Sequence, residues 1–195
     1  MIPTQTLALL AAILFVPIGV VYVSRERPSP LRAVAVMVTA LYLALVVGVT
    51  LGPLPVDGGF EPGFTGESVE MNLVPFKTIG RYFTEGVSPD LTTRQVGGNL
   101  LLLMPLGFLL PIVSRAMRSL GRVLSVALVV SVGIEILQVL VIITVGNAGR
   151  AIDVDDVILN AAGAAVGWLA WRLMAPGPGG DGGSGEVGRT APSKS

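Results

Sequence analysis

Five long apolar stretches constrain this chain more than any other feature of its sequence. A helix that crosses the hydrocarbon core of a bilayer, which is about 30 Å thick, needs about 20 mostly apolar residues. Stretches that meet or nearly meet this requirement cover residues 4–23, 31–51, 97–113, 123–145 and 157–174. Charged residues make up only 13% of the chain, whereas a soluble domain carries about 25%. The sequence therefore predicts an all-α fold, a polytopic membrane helix bundle of about five transmembrane helices.

The composition also excludes several classes of function. Apolar residues make up 52% of the chain, and its 13 basic and 13 acidic residues balance. A disordered chain, a nucleic-acid-binding protein and an ordinary soluble enzyme are therefore excluded. The chain contains no Cys and no His, so it has no disulfide, thiol nucleophile, imidazole base or Cys/His metal site. We expect no metal and no cofactor, and any chemistry must come from carboxylates, amides, hydroxyls and Arg.

Three regions follow one another along the chain. Residues 1–24 contain no Lys or Arg, so they lack the basic start of a cleaved signal peptide and are predicted to form a retained first transmembrane helix. Residues 25–174 are predicted to form the remainder of the transmembrane domain. Residues 175–195 are rich in Gly, Pro and Ser. We expect them to form a disordered cytoplasmic tail, because such a segment buries too little apolar surface to offset its ordering entropy.

The basic residues predict the orientation in the membrane, because cytoplasmic loops carry an excess of Lys and Arg. With five helices, most basic residues fall on one side: Arg25, Arg27, Arg32, Arg115, Arg118, Arg122, Arg172, Arg189 and Lys194. The opposite side holds most of the acidic residues together with Lys77, Arg81, Arg94 and Arg150. The chain is therefore predicted to lie in the plasma membrane with its N-terminus outside and its C-terminus in the cytoplasm.

Residues 52–96 form a predicted loop on the outer side that is too long to be without a purpose in a compact protein. Within it, Phe76, Ile79 and Phe83 recur at helical spacing, while the neighbouring cations fall off that face. This pattern predicts a short amphipathic helix in the membrane interface. The helix would serve either as an anchor against lipid headgroups or as a lid over a site between the helices.

Polar residues inside the apolar stretches are the candidates for function. A charged side chain at the centre of a membrane helix costs about 2.5–3.5 kcal/mol even on the more lenient scale, and Glu135 lies near the middle of the fourth stretch. Gln138 shares its helix face, three residues on. Asn99 lies just inside the outer end of the third stretch, which Pro105 and Pro111 are expected to bend.

The segment that enters the fifth stretch carries a second set of polar residues. Its members recur every three or four positions, which would place them on one stripe of a single helix. The stripe consists of Arg150, Asp153, Asp156, Asn160 and Gly163, and Asp155 falls off it. Gly163 and Gly167 also have the GxxxG spacing that lets membrane helices approach closely. We predict that the polar residues of three helices face one another in a cavity open to the outside; the alternative is a packing network that holds short helices together.

Four motifs in this order resemble the VanZ-like family of bacterial membrane proteins. They are NLVPF from Asn72, GNLLLLMPLGFLLP from Gly98, the ExxQ pair of Glu135 and Gln138, and the RxxDxxDxxxNxxG run from Arg150. The resemblance covers roughly residues 40–174 and implies that the family's polar positions fall on Asn72, Asn99, Glu135, Gln138, Arg150, Asp153, Asp156 and Asn160. It implies a plasma-membrane protein that acts at the cell envelope, in a family whose founding member is associated with low-level resistance to teicoplanin. It implies no particular reaction.

Three hypotheses about function follow from this polar cluster. In the first, the protein binds or modifies a lipid, a lipid-linked precursor or a glycopeptide at the outer leaflet, and Arg150 meets a phosphate or carboxylate through its bidentate guanidinium. In the second, it is an enzyme acting on an envelope lipid, in which Glu135, Asp153 and Asp156 serve as acid and base or hold a hard cation. In the third, it is a small proton-coupled transporter built around Glu135. The expected partners are the lipid bilayer and an envelope lipid or lipid-linked precursor, with no nucleic acid, and a homo-oligomer is left open.

Overall fold

The computed structural model describes residues 2–52, 71–85, 88–145 and 152–175. The α-helices in these ranges are α1 (Thr4–Glu26), α2 (Pro30–Leu51), α3 (Lys77–Thr84), α4 (Pro89–Thr92), α5 (Gly98–Val113), α6 (Leu120–Val145) and α7 (Val154–Met174). A π-helical turn, Thr93–Gly97, joins α4 to α5, and a 3₁₀ turn, Arg115–Arg118, follows α5. Two-residue strands, β1 (Met71–Asn72) and β2 (Ile152–Asp153), pair in parallel. The predicted disordered tail lies outside the described residues, apart from its first residue.

In the described part of the chain, five helical segments are long and apolar enough to cross a membrane. They are α1, α2, the continuous run from Pro89 to Val113, α6 and α7. The predicted all-α polytopic bundle of about five transmembrane helices is therefore confirmed. The third segment begins earlier than the apolar stretch does, because α4 and the π turn continue into α5 without a break. The predicted short helix in the long loop is present as α3.

Helices α5 and α7 approach each other closely at glycines. A Cβ atom added at Gly163 would overlap the carbonyl group of Leu100, and one added at Gly167 would overlap that of Met104. Gly107 of α5 lies in the same way against the backbone of α7. The GxxxG prediction is confirmed, since only residues without a Cβ let these two backbones come so close.

A buried apolar core lies where α2, α5, α6 and α7 meet. Its fully buried side chains include Leu103 of α5, Val123 and Ala127 of α6 and Ala164 of α7. The other faces of these helices, and nearly all of α1, expose large apolar side chains. Helices that are apolar on both their buried and their exposed faces are typical of a bundle surrounded by lipid. Helix α1 packs against α2.

One end of the bundle is basic. Arg32, at the start of α2, donates from Nε to the Val113 carbonyl at the end of α5, and from Nη2 to the Tyr22 hydroxyl at 3.0 Å. Trp168, near the end of α7, donates from Nε1 to the Arg118 carbonyl at 3.1 Å. These bonds bring the ends of α1, α5 and α7 together, with the start of α2 beside them. The candidate polar residues lie toward the opposite end.

Candidate functional site

Helix α7 begins at Val154, so the predicted polar stripe does not lie on one helix. Asp153 has an extended backbone (φ −130°, ψ 117°) and belongs to β2. Its Oδ1 accepts the backbone N–H of Asp155 at 2.9 Å, which is the usual bond of a helix N-cap residue. The part of the stripe that lies on α7 therefore starts at Asp156. Arg150 lies outside the described residues.

Asn72 connects the segment before α3 to the start of α7. Strand β1 pairs in parallel with β2 so that Asn72 is opposite Asp153. The Nδ2 group of Asn72 donates to Asp153 Oδ1 at 2.8 Å and to Thr78 Oγ1 at 2.9 Å. One amide side chain therefore holds the first turn of α3 against the beginning of α7.

Asp155 caps α3 from a distant part of the chain. It is 1% exposed, and its two carboxylate oxygens accept the backbone N–H groups of Phe76 at 2.5 Å and Ile79 at 3.0 Å. The first N–H groups of a helix have no partner within the helix, and a negative charge next to them is favourable. Sequence reasoning missed Asp155 because it falls off the predicted stripe. The signal that would have found it is the run of acids at a helix start, where carboxylates act as caps.

Asp156 receives amides from the third membrane-spanning segment. Asn99 donates from Nδ2 to Asp156 Oδ1, and Gln95 Nε2 lies 3.5 Å from the same oxygen. The two amides are four residues apart, on either side of the junction between the π turn and α5. π-helical turns are frequent at functional sites. Gln95 was not predicted, although its four-residue spacing from Asn99 was visible in the sequence.

A cavity of about 280 Å³ lies between α6 and α7. This α6–α7 cavity is lined by Leu73, Val132, Glu135, Ile136, Val139, Leu140, Asp153, Val154 and Val157. Its two polar residues, Glu135 and Asp153, are 8% and 7% exposed. The structure thus places two of the predicted site residues at the border of one apolar space.

Gln138 and Asn160 have partners elsewhere in the bundle. Gln138 donates from Nε2 to the Thr50 carbonyl in the last turn of α2, at 3.3 Å. Asn160 is buried and donates from Nδ2 to Ser131 Oγ at 2.9 Å, one helical turn before Glu135 on α6. Among the described residues, no donor reaches Asn160 Oδ1. The alternative of a packing network therefore describes these two amides better than a shared cavity does.

The segment around α3 combines an exposed apolar surface with attachment to α7. Leu73, Phe76 and Phe83 are all exposed, whereas Ile79, the third residue of the predicted apolar face, is half-buried. Leu73 also lines the α6–α7 cavity. The segment therefore has features of both predicted roles, the membrane anchor and the lid.

The acidic side chains at the start of α7 also affect the pKa of a tyrosine on α3. Burial raises the pKa of Tyr82, and the negative charges of Asp156 and Asp153 raise it further, whereas Arg81 lowers it. Tyr82 therefore lies within the electric field of the start of α7. In the ranges that the structure describes, no group of three or more acidic side chains is arranged to hold a metal ion. The site as described is a set of hydrogen-bonded carboxylates beside an apolar cavity.

Comparison with models of protein families identifies a relationship. The model of a protein family described as VanZ/LLP1 matches residues 39–175. The match begins within α2, so α1 precedes it, and it extends over α7. No curated protein and no solved structure matches the chain.

Proposed function

The chain belongs to the VanZ/LLP1 family of membrane proteins, and we propose that it acts at the cell envelope by binding a lipid or lipid-linked molecule in the α6–α7 cavity. The family match confirms the resemblance that the four motifs indicated. The observation that carries the proposal is the cavity, a space of about 280 Å³ whose surface is almost entirely apolar and which Glu135 and Asp153 border. Ligand sites are mostly apolar clefts in which a few polar groups fix the orientation of the ligand.

The position of the cavity supports a ligand that enters from the membrane. Val132, Ile136 and Leu140 of α6 line the cavity, yet each is exposed. Because these three side chains line the cavity and are also exposed, the cavity opens onto the exposed surface of the bundle. Around membrane-spanning helices that surface meets lipid, so the alkyl chain of an amphiphile reaches the cavity without crossing water.

The charge distribution supports a site at the outer leaflet. Glu135 and Asp153 lie toward the end of the bundle opposite the end where Arg32 and Arg118 make their bonds. Basic residues favour the cytoplasmic side of a membrane protein. The proposed ligand is therefore a component of the outer leaflet or a molecule that reaches it from outside.

A second candidate function uses the same pair of acids. Glu135 and Asp153 border one cavity, and two carboxylates at one site are suited to act as acid and base. An enzyme acting on an envelope lipid would bind its substrate before reacting with it, so the binding experiment comes first for both functions. The transporter hypothesis stays a prediction that rests on Glu135.

Two tryptophan variants test whether the cavity holds lipid. Val139→Trp fills the cavity from its wall, whereas Val129→Trp adds the same side chain to the same helix at a position that is 74% exposed and outside the lining. Native mass spectrometry of the full chain, extracted from bacterial membranes in a mild detergent, counts the lipids that remain bound. We expect the wild type and Val129→Trp to retain lipid and Val139→Trp to lose most of it. Equal retention by the two variants would overturn the proposal.

A further inference from the structure

Several arginines at the basic end of the bundle converge on one short turn. This turn is the 3₁₀ segment Arg115–Arg118, which joins α5 to α6. Arg122, in the first turn of α6, donates from Nη1 back to the Ala116 carbonyl at 2.7 Å. Arg32 reaches the same region from α2, since its Nε donates to the Val113 carbonyl, two residues before the turn. Basic side chains from α2, the turn and α6 are therefore held at one place.

This group of arginines is open to an anion. The side chains of Arg115, Arg118 and Arg122 are exposed. The described bonds of Arg122 and Arg32 use only some of the five N–H donors that each guanidinium carries. Because like charges repel at short range, an anion bound among them is favourable. The rule that basic residues prefer one side of a membrane accounts for their number there, but not for their convergence on one turn.

The surroundings of the turn suit a lipid. Trp168 donates from Nε1 to the Arg118 carbonyl at 3.1 Å, and its ring centroid lies 6.5 Å from that of Trp171. Tryptophan is enriched where a bilayer meets water. Arg122 and Val129 are seven residues apart and so share a face of α6, and Val129 is 74% exposed. A lipid with its headgroup at the turn can therefore place an alkyl chain along α6.

We infer that the 3₁₀ turn and the start of α6 bind an anionic phospholipid, whose phosphodiester is held by Arg115, Arg118 and Arg122. Arginine binds phosphate through two parallel hydrogen bonds, and basic groups at a membrane surface attract anionic lipids. Val132, the first residue of α6 to line the α6–α7 cavity, follows Arg122 by about 15 Å along the helix. The site is therefore separate from that cavity, and the inference does not depend on the proposed function.

Dioleoyl phosphatidylglycerol and dioleoyl phosphatidylcholine test the headgroup, because they share their acyl chains and differ in net charge. Each is added to the purified full-length protein in dodecyl maltoside, and native mass spectrometry counts the adducts. We expect the wild type to bind phosphatidylglycerol at least about tenfold more tightly, since each basic residue near a membrane surface favours an anionic lipid about fivefold. Inorganic phosphate at the same concentration should not displace the lipid, and displacement would overturn the assignment to a lipid.

Variants of the turn locate the preference. Arg115→Gln, at an exposed side chain, should weaken binding of phosphatidylglycerol about fivefold. Combining it with Arg118→Gln and Arg122→Gln should remove the preference for phosphatidylglycerol. Val139→Trp fills the α6–α7 cavity and should keep the preference, so its loss in that variant would place the headgroup site at the cavity and overturn the inference.

The matched control removes three exposed basic residues at the opposite end of the bundle: Lys77→Gln, Arg81→Gln and Arg94→Gln. It should bind both lipids as the wild type does, and an equal loss in both triple variants would show that total charge, not the turn, selects the lipid.

A further variant, Asp181→Asn with Glu186→Gln, neutralises the acids of the C-terminal segment and should leave binding unchanged. A preference for phosphatidylglycerol that arises only in this variant would assign the arginines to that segment and overturn the inference. Equal binding of the two lipids by the wild type would also overturn it. The wild-type comparison needs no variant, so a variant that fails to fold does not protect the inference.

Discussion

At the scale of single residues, the acids that open α7 have different partners. Asp153 caps its own helix and binds Asn72. Asp155 caps α3, while Asp156 receives an amide from the third spanning segment. Each carboxylate therefore has hydrogen-bond donors of its own. This division explains how three acids fit within four residues of chain at a membrane boundary.

Asp155→Asn is expected to loosen the attachment of α3 to α7. The amide keeps the size of the carboxylate but turns an N–H donor toward the backbone N–H of Phe76 or Ile79. One buried donor then loses its acceptor, which costs about 1–3 kcal/mol. Hydrogen exchange of the purified protein should therefore accelerate about tenfold or more at the first amides of α3. Asp90→Asn, at an exposed acid, is the matched control, and unaltered exchange in Asp155→Asn would contradict the capping role.

Some of the residues that sequence reasoning identified are polar side chains inside apolar stretches. Glu135 and Asn99 stand out because a polar group at that depth needs a partner or a purpose. Asp155 and Gln95 were missed, since one lies off the helical stripe and the other precedes the apolar stretch. Their positions depend on a strand-to-helix junction and a π turn, and neither feature alters the hydropathy pattern.

At the scale of elements, the close contact between α5 and α7 depends on glycines, which have no side chain. Two alanine substitutions test this dependence. Gly163→Ala is expected to destabilise the protein by about 1–3 kcal/mol, because the new Cβ overlaps the Leu100 carbonyl. Gly133→Ala meets no atom within 4 Å on α6. Because Ala favours a helix over Gly by about 0.8–1.0 kcal/mol, this variant should be neutral or more stable. Thermal unfolding followed by circular dichroism in dodecyl maltoside compares them, and an equal change in Tm would contradict the close-contact explanation.

The existence of the spanning helices was predictable, and their pairing was not. Hydropathy shows how many consecutive residues are apolar enough to lie in lipid. It therefore predicted the start of α2 to within one residue. It does not report which helix faces meet. Gly163 and Gly167 indicated a close-packed face on α7, but nothing in the sequence identified α5 as the partner of that face. The attachment of α3 to α7 joins residues far apart in the chain. It could not be predicted from the sequence either.

At the scale of the whole molecule, the bundle has a basic end and an acidic end. At the basic end, Arg32 and Trp168 tie helix termini together through backbone carbonyls. At the other end, β1, α3 and the start of α7 form one hydrogen-bonded unit beside the α6–α7 cavity. The sequence predicted this separation because successive spans alternate in direction, so that charges in alternate loops fall on the same side.

The basic residues predict the orientation of these two ends in the membrane, and this prediction has a direct test. The chain has no native Cys, so a single introduced cysteine reports its own position. Ser88 precedes α4 at the acidic end and Ser119 precedes α6 at the basic end, and both are exposed. An impermeant maleimide is expected to label Ser88→Cys in intact cells and Ser119→Cys only after permeabilisation, because basic loops remain in the cytoplasm. Labelling of Ser119→Cys alone in intact cells would reverse the orientation and place the α6–α7 cavity at the cytoplasmic leaflet, where its ligand would have to be a different lipid population.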